Sequence, residues 1–149
     1  MRAVMLAAVV AVAASPALGA VNNRDIRAAV DTYAQATVGD TIKSASLCDA
    51  NSTVVDEFAP HLWRGAGCAA WAKDFVAMER REGITACKVA LGPKGAVVAE
   101  TDTAYAVYPA TVSCLKRGKP FADHGEWTLV LHKVGSAWKV ASWTWSAQP

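Results

Sequence analysis

The stretch Glu126-Trp-Thr-Leu-Val-Leu-His-Lys-Val134, Gly135-Ser136, Ala137-Trp-Lys-Val-Ala-Ser-Trp-Thr-Trp145 predicts a β-hairpin. Both runs are rich in β-branched and aromatic residues, and the two-residue link between them begins with Gly, as a type II′ turn requires. Pairing Val134 with Ala137 sets the register, because side chains along a strand alternate between the faces of the sheet. One face should carry Trp127, Leu129, Leu131, Val140, Ser142 and Thr144, and the other Thr128, Val130, His132, Ala141, Trp143 and Trp145.

Both faces of this hairpin are largely apolar, so each needs a cover. We expect helices of the same chain over the first face, which would then form the wall of a pocket. The second face would expose a larger apolar patch than monomers usually tolerate. We therefore predict a homodimer through the face that carries Val130, Ala141, Trp143 and Trp145.

The length of 149 residues and the 53% content of hydrophobic residues suit one domain with a single sizeable core. The formal net charge is only +2, and no stretch carries the basic stripe that follows a phosphate backbone. Nucleic acid is therefore not an expected partner.

Residues 1–20 have the pattern of a secretory signal peptide. Arg2 makes the start basic, an uncharged run extends from Ala3 to Ala14, and Ala17-Leu-Gly19 offers a small-x-small cleavage pattern. Cleavage between Gly19 and Ala20 would leave one domain over residues 21–149, periplasmic or secreted, without stable membrane insertion. An uncleaved membrane anchor is the alternative, although the apolar run is shorter than the ~20 residues that span a bilayer.

The chain has four cysteines, and in an exported protein this even number permits two disulfides with three possible connectivities. We predict at least one disulfide among Cys48, Cys68, Cys87 and Cys114, with buried free thiols as the alternative. No two of these cysteines have the spacing of metal ligands, and none has a histidine close by. We therefore expect neither a metal site nor a cofactor.

The periodicity of the chain predicts helices first and then a long antiparallel meander, which is an α+β order. A helix should begin at the N-cap Asn23 and end at Gly39, and Asp40 can cap a short second helix. The remaining predicted elements are an edge strand at Thr53–Phe58, a short strand at His61–Trp63, a helix at Cys68–Arg81, a strand at Ile84–Leu91, a run at Ala96–Leu115 interrupted at Pro109, and the hairpin.

This order resembles the nuclear-transport-factor-2-like superfamily, which includes SnoaL-like and ketosteroid-isomerase-like proteins. The resemblance rests on Thr53-Val-Val-Asp56 after two helices and on the ending Gly135-Ser-Ala-Trp-Lys-Val140. It implies a cone-shaped curved antiparallel sheet wrapped around three N-terminal helices (a cystatin-like α+β barrel), with a pocket at the open end and frequent dimers. The stretches Asp56 to Gly65 and Trp71-Ala-Lys-Asp-Phe75 resemble an exported bacterial subset of unassigned function.

The same resemblance suggests two catalytic residues. Asn51-Ser-Thr-Val-Val-Asp56 is similar to the isomerase segment that ends in the general base, which would place Asp56 at the pocket mouth. His61 follows across the Pro60 bend and is a candidate acid/base partner, with a bond from its ring to a backbone carbonyl as the alternative. The second acid of the isomerases falls at Trp127, so steroid isomerisation is not expected.

The candidate pocket walls are aromatic and apolar. We therefore expect a small apolar or aromatic ligand that is at most singly charged. The predicted function is an exported small-molecule-binding domain with no assigned reaction, and the alternative is an enzyme of the isomerase, cyclase or dehydratase kind that uses Asp56 and His61. The predicted ligand-binding residues, some of which could instead be core, are Tyr33, Trp63, Trp71, Phe75, Tyr105, Trp127, Leu129 and Ser142.

Overall fold

A computed structural model describes residues 23–148, so the predicted signal peptide and its cleavage position lie outside the described residues. None of the helices within this range is long and apolar enough to cross a membrane. The helices are α1 (Asn23–Gly39), α2 (Thr41–Ser46) and α3 (Gly67–Glu82). The strands are β1 (Cys48–Val55), β2 (Leu62–Trp63), β3 (Ile84–Leu91), β4 (Ala96–Ala99), β5 (Thr103–Lys116), β6 (Lys119–Val134) and β7 (Ala137–Ala147).

The three helices form where the sequence pattern predicts them. The apolar positions of α1 recur every three or four residues, which buries Ile26, Val30 and Tyr33 against the sheet. The Asp40 side chain accepts a hydrogen bond of 3.0 Å from the Lys43 backbone N–H and so caps α2. Gly83, at φ +68°, ends α3 in the left-handed conformation that glycine adopts without steric cost.

The strands form one curved, open sheet in the order β2-β1-β7-β6-β5-β3, with β4 also paired to β5. The α+β class is thus confirmed. β1 is longer than predicted, and it is not an edge strand, because it lies between β2 and β7. It runs parallel to β7, whereas the other pairs are antiparallel, so the sheet is mixed.

The predicted interruption at Pro109 is wrong. β5 continues through this residue, with Pro109 opposite Glu126 of β6. On the other side of β5, the β3 pairing ends at Ala110 and the β4 pairing begins at Val107. Pro109 thus occupies the gap between two partner strands, where its missing N–H breaks no ladder.

The hairpin forms with the predicted pairing of Val134 and Ala137, but its register shifts by one residue along β7. Leu131 pairs with Val140 and Val130 pairs with Ser142, so Ala141 is an extra residue in β7. Such a bulge moves every later side chain to the opposite face. The predicted faces are therefore wrong beyond the bulge: Trp143 and Trp145 join Leu129 and Trp127 on the inner face, and Ser142 and Thr144 turn outward.

Two disulfides join the elements, which confirms the prediction of at least one. Cys48 at the start of β1 is bonded to Cys68 in the first turn of α3. Cys87 of β3 is bonded to Cys114 of β5. The first bond joins α3 to the sheet, and the second joins two neighbouring strands.

Candidate functional site

A cavity of about 240 Å³ lies between the helices and the inner face of the sheet. Its wall combines side chains from α1, α3 and four strands with the segment that follows β1. Aromatic and aliphatic groups dominate, and carboxylates supply the charge. The lining residues are Thr37, Val38, Asp56, Glu57, Phe58, Trp71, Phe75, Met78, Ile84, Cys87, Val89, Val112, Cys114, Phe121, Asp123, Trp127, Trp143 and Trp145.

The aromatic part of this wall is a continuous set of rings from a helix and a hairpin. Trp71 and Phe75 are four residues apart on α3 and stack at 4.6 Å between ring centroids. Trp143 packs edge-on against Trp71 at 4.9 Å and against Trp127 at 5.5 Å. The rings of the sheet reach those of the helix only because the bulge at Ala141 turns Trp143 inward.

Gly125 makes room for Trp145. A Cβ atom at position 125 would lie 2.8 Å from Cζ2 of the Trp145 ring and would overlap the carbonyl oxygen of Ser146. Any side chain at position 125 would therefore displace the ring from this part of the wall.

The indole N–H groups of four tryptophans in or near this aromatic wall differ in their hydrogen-bond partners. Trp71 Nε1 donates to Asp56 Oδ2 at 2.7 Å, and Trp63 Nε1 donates to Asp74 Oδ2 at 2.8 Å. The N–H groups of Trp127 and Trp143 are buried and have no hydrogen-bond partner among the described residues. The Trp143 N–H lies near the Tyr33 hydroxyl without forming a hydrogen bond to it.

Asp56 is the half-buried carboxylate of the cavity. Burial raises its pKa, although the hydrogen bonds from the Trp71 indole and the Glu57 backbone N–H oppose that rise. The negative charge of Asp123 raises the pKa of Asp56 further, and His61 lowers it slightly. A carboxyl with a raised pKa beside an apolar cavity is better suited to hold and transfer a proton than an ordinary aspartate is.

Glu57 and Asp123 place two more carboxyl groups on the wall. Burial is the main cause that raises the pKa of Glu57, and the charge and the hydrogen bond of Asp123 raise it further. Among residues 23–148, no lysine, arginine or histidine lines the cavity, so these acidic groups have no basic neighbour on the described wall.

His61 does not form the predicted acid/base pair with Asp56. Its side chain is exposed, and Nδ1 lies 3.2 Å from the backbone carbonyl oxygen of Asp56 rather than from the carboxylate. The Asp56 backbone N–H also donates to the His61 carbonyl oxygen, so the two residues close the turn around the Pro60 bend. The carboxylate points into the cavity while the imidazole points away from it.

The predicted wall residues fall into three groups. The cavity is lined by Trp71, Phe75 and Trp127, together with the predicted catalytic residue Asp56. Other predicted wall residues are buried in the core without lining the cavity: Tyr33, Trp63 and Leu129. The last group lies on the outer face of the sheet, where it cannot contact a ligand in the cavity: Tyr105 and Ser142.

Several lining residues were missed by sequence reasoning. Phe121 and Asp123 precede Trp127 at even spacing on one strand, so extending β6 toward its start would have predicted them on the inner face. Trp143 and Trp145 carried no such signal, because nothing in the sequence marks the bulge. Within the described range, no group of three or more His, Cys, Asp or Glu side chains is arranged to hold a metal ion.

No protein-family model matches the chain, and no curated protein matches it in sequence. Solved structures do match it. A nuclear transport factor 2 (NTF2-like) superfamily protein from Salmonella enterica has a TM-score of 0.71 at 14% identity, over 85% of this chain and 90% of that one. An NTF2-like protein with a cystatin-like fold from Novosphingobium aromaticivorans has a TM-score of 0.66 at 19% identity, over 84% and 80%.

A third structure, a protein of unknown function with a cystatin-like fold from Nostoc punctiforme, has a TM-score of 0.65 at 10% identity. That match covers 87% of this chain and 93% of the other. At such identities the likeness establishes the shared fold and leaves the activity to be argued from the site.

Proposed function

We propose that this chain, which has the NTF2-like fold, binds a small apolar or aromatic molecule in its cavity. The observation that carries the proposal is the cavity of about 240 Å³, whose wall consists mainly of aromatic and aliphatic side chains. Burying the hydrocarbon part of a guest against this wall is favourable by about 25 cal/mol per Å² of apolar surface removed from water. The few polar groups on the wall would orient the guest.

Fluorescence of a neutral probe, N-phenyl-1-naphthylamine, tests this proposal. We expect its emission to rise on addition of the protein, because it moves from water to an apolar wall. Replacing Trp145 with Ala should weaken probe binding about tenfold, which corresponds to the loss of part of one aromatic contact. Trp138 is a matched control, since this half-buried Trp of the same strand does not line the cavity, and Trp138→Ala should leave binding unchanged.

Probe binding that is absent from the wild type, or equal in the wild type and Trp145→Ala, would contradict the proposal. Circular dichroism of each variant would establish that the fold is retained, so that lost binding can be assigned to the cavity.

A second candidate function, an enzyme that transfers protons through Asp56, is favoured by the position of this carboxyl group on the cavity wall and by its raised pKa. Such a reaction would fit the isomerase, cyclase or dehydratase class. His61 plays no part in this candidate, because its ring contacts only a backbone carbonyl.

Exchange of the α-hydrogens of 1-tetralone with deuterium, followed by NMR, tests the second candidate. Wild-type protein should accelerate exchange, and Asp56→Asn should abolish the acceleration while its amide oxygen can still accept the Trp71 hydrogen bond. His61→Ala is the matched control and should retain the activity. Equal exchange with wild type and Asp56→Asn would exclude this role of Asp56.

The proposed site of action is the periplasm or the medium. The signal-peptide pattern of residues 1–20 supports export, and the pairing of all four cysteines in disulfides is in keeping with an oxidising compartment. N-terminal sequencing of the protein from an exporting host should find Ala20 as the first residue. A chain that starts at Met1 and stays in the cytoplasm would contradict export.

A further inference from the structure

We propose that the cavity selects an organic monocation, an amine joined to an aromatic or hydrocarbon body. This inference rests on the proposed function, the binding of a small molecule in the cavity, and names the class of that molecule.

The first argument is the charge of the wall. Asp56, Glu57 and Asp123 all line the cavity, and no basic side chain of the described part of the chain does. None of these three carboxyl groups forms a salt bridge among residues 23–148. Like charges held close together repel each other, and a cation between them would relieve that repulsion. A bound ammonium group could do so while donating hydrogen bonds to the carboxylate oxygens.

The second argument is the aromatic wall that adjoins these carboxylates. The face of an aromatic ring carries negative electrostatic potential and attracts organic cations, most strongly when water is excluded. Rings that surround a cation on several sides are the usual way in which proteins bind ammonium groups with hydrocarbon substituents. The described part of the chain lines this cavity with seven aromatic side chains: Phe58, Trp71, Phe75, Phe121, Trp127, Trp143 and Trp145.

The third argument is the position of the carboxyl groups relative to the rings along β6, which contributes Asp123 and Trp127 to the wall. Trp127 lies four residues beyond Asp123 on β6, which separates the two by roughly 13 Å along the strand. The carboxyl groups and the tryptophan rings can therefore contact different parts of one molecule, the ammonium group and its hydrocarbon body.

Anions fit this cavity poorly. A carboxylate or phosphate group would meet three acidic groups and no basic side chain among the described lining residues. A neutral molecule could pack against the rings but would not pair with the carboxyl groups. A protonated amine with a hydrocarbon body can do both.

Three probes of matched size test this inference: 2-phenylethylamine, 2-phenylethanol and 3-phenylpropionate, titrated calorimetrically at pH 7.5 and low salt. The amine is protonated at this pH, since alkylammonium groups titrate near pH 10. We expect the amine to bind at least about tenfold more tightly than the alcohol, with the carboxylate weakest. Added salt should weaken binding of the amine and leave that of the alcohol unchanged.

The double variant Glu57→Gln/Asp123→Asn should remove most of the advantage of the amine over the alcohol. Glu126→Gln is the matched control, because this exposed acid on the same strand lies outside the cavity, and it should bind like the wild type. The salt dependence of the wild type keeps the inference testable if the double variant fails to fold.

The outcomes separate the two claims. If the wild type binds the alcohol as tightly as the amine, or prefers the carboxylate, cation selection is wrong while small-molecule binding stands. If N-phenyl-1-naphthylamine binds but none of the three phenyl probes does, cation selection is likewise overturned. If no probe of either kind binds, the proposed function fails and the inference fails with it.

Discussion

Asp56 has one carboxylate oxygen bonded to the Trp71 indole at 2.7 Å and the other to the Glu57 backbone N–H at 2.7 Å. These bonds favour the ionised form, but burial outweighs them and raises the pKa of the carboxyl group. The folded protein therefore holds this proton more tightly than the unfolded chain does. The contribution of Asp56 to stability is greatest below the unfolded pKa and decreases as the pH rises through the folded pKa.

Asp56→Asn should consequently unfold at a higher urea concentration than the wild type at pH 7. The amide oxygen can still accept the bond from the Trp71 N–H, the exposed Glu57 N–H can bond to water instead, and no charge is buried. The difference should shrink toward pH 3, where the wild-type carboxyl group is protonated. Urea unfolding at both pH values measures this, with Glu126→Gln as an exposed control. A lower midpoint for Asp56→Asn at pH 7 would mean that its hydrogen bonds outweigh its burial.

Two equally buried tryptophans differ in whether their indole N–H groups are hydrogen-bonded. Trp71 and Trp143 are each 3% exposed, but only the Trp71 N–H has a partner. We expect Trp71→Phe to lower the free energy of unfolding by about 1–3 kcal/mol more than Trp143→Phe, because it removes the indole donor of the Asp56 carboxylate and leaves one carboxylate oxygen unpaired. Chemical denaturation followed by circular dichroism compares the two. Equal losses would indicate that the Trp143 N–H has a partner of similar strength in solution, such as water.

At the scale of the elements, the β6–β7 pairing positions the cavity wall. The bulge at Ala141 turns Trp143 and Trp145 inward, and Gly125 on the neighbouring strand leaves the space that the Trp145 ring fills. The part of the hairpin that lines the cavity therefore has three tryptophans, whereas a regular register would have left it with Trp127 alone.

Gly125→Ala should lower the free energy of unfolding by about 1–3 kcal/mol, the usual cost of overpacking. It should also weaken binding of N-phenyl-1-naphthylamine, because the new methyl group displaces the Trp145 ring. Gly39→Ala is the control, since a Cβ atom there meets no other atom within 4 Å. A Gly125→Ala protein with unchanged stability and unchanged binding would contradict this account of the wall.

At the scale of the whole molecule, the outer face of the sheet is where the predicted homodimer would form. The predicted set of interface residues is partly wrong, because Trp143 is buried in the core and Trp145 lines the cavity. The outer face instead presents Val98, which is 67% exposed, beside its strand partner Tyr105, which is 46% exposed. Val130, the partner of Tyr105 on the other side, remains on this face.

A homodimer through this corrected face remains our prediction. Tyr105→Asp should shift the molar mass measured by light scattering at micromolar concentration from that of a dimer to that of a monomer, because a charge would be buried in an apolar contact. Val134→Asp is the control, since Val134 is equally apolar and 54% exposed but lies beside the hairpin turn. A wild-type protein that is monomeric under these conditions would refute the dimer.

The sequence by itself determined the α+β class, the ends of the helices and the turn of the hairpin, because these depend on local features. Apolar periodicity, the Asp40 cap and Gly83 each act within a few residues. The resemblance carried by Thr53–Asp56 and Gly135–Val140 led to the correct fold and placed Asp56 on the cavity wall.

Only the tertiary structure decided which tryptophans form the cavity and which carboxylates join Asp56. A bulge changes the faces of a strand through one extra residue, and Ala141 has no sequence signal that distinguishes it from a regular strand position. The approach of Asp123 to Glu57 depends on the pairing of strands far apart in the chain, which local patterns do not encode. His61 lies only five residues from Asp56, yet the bend between them turns its ring outward, because side-chain direction depends on backbone angles rather than on spacing.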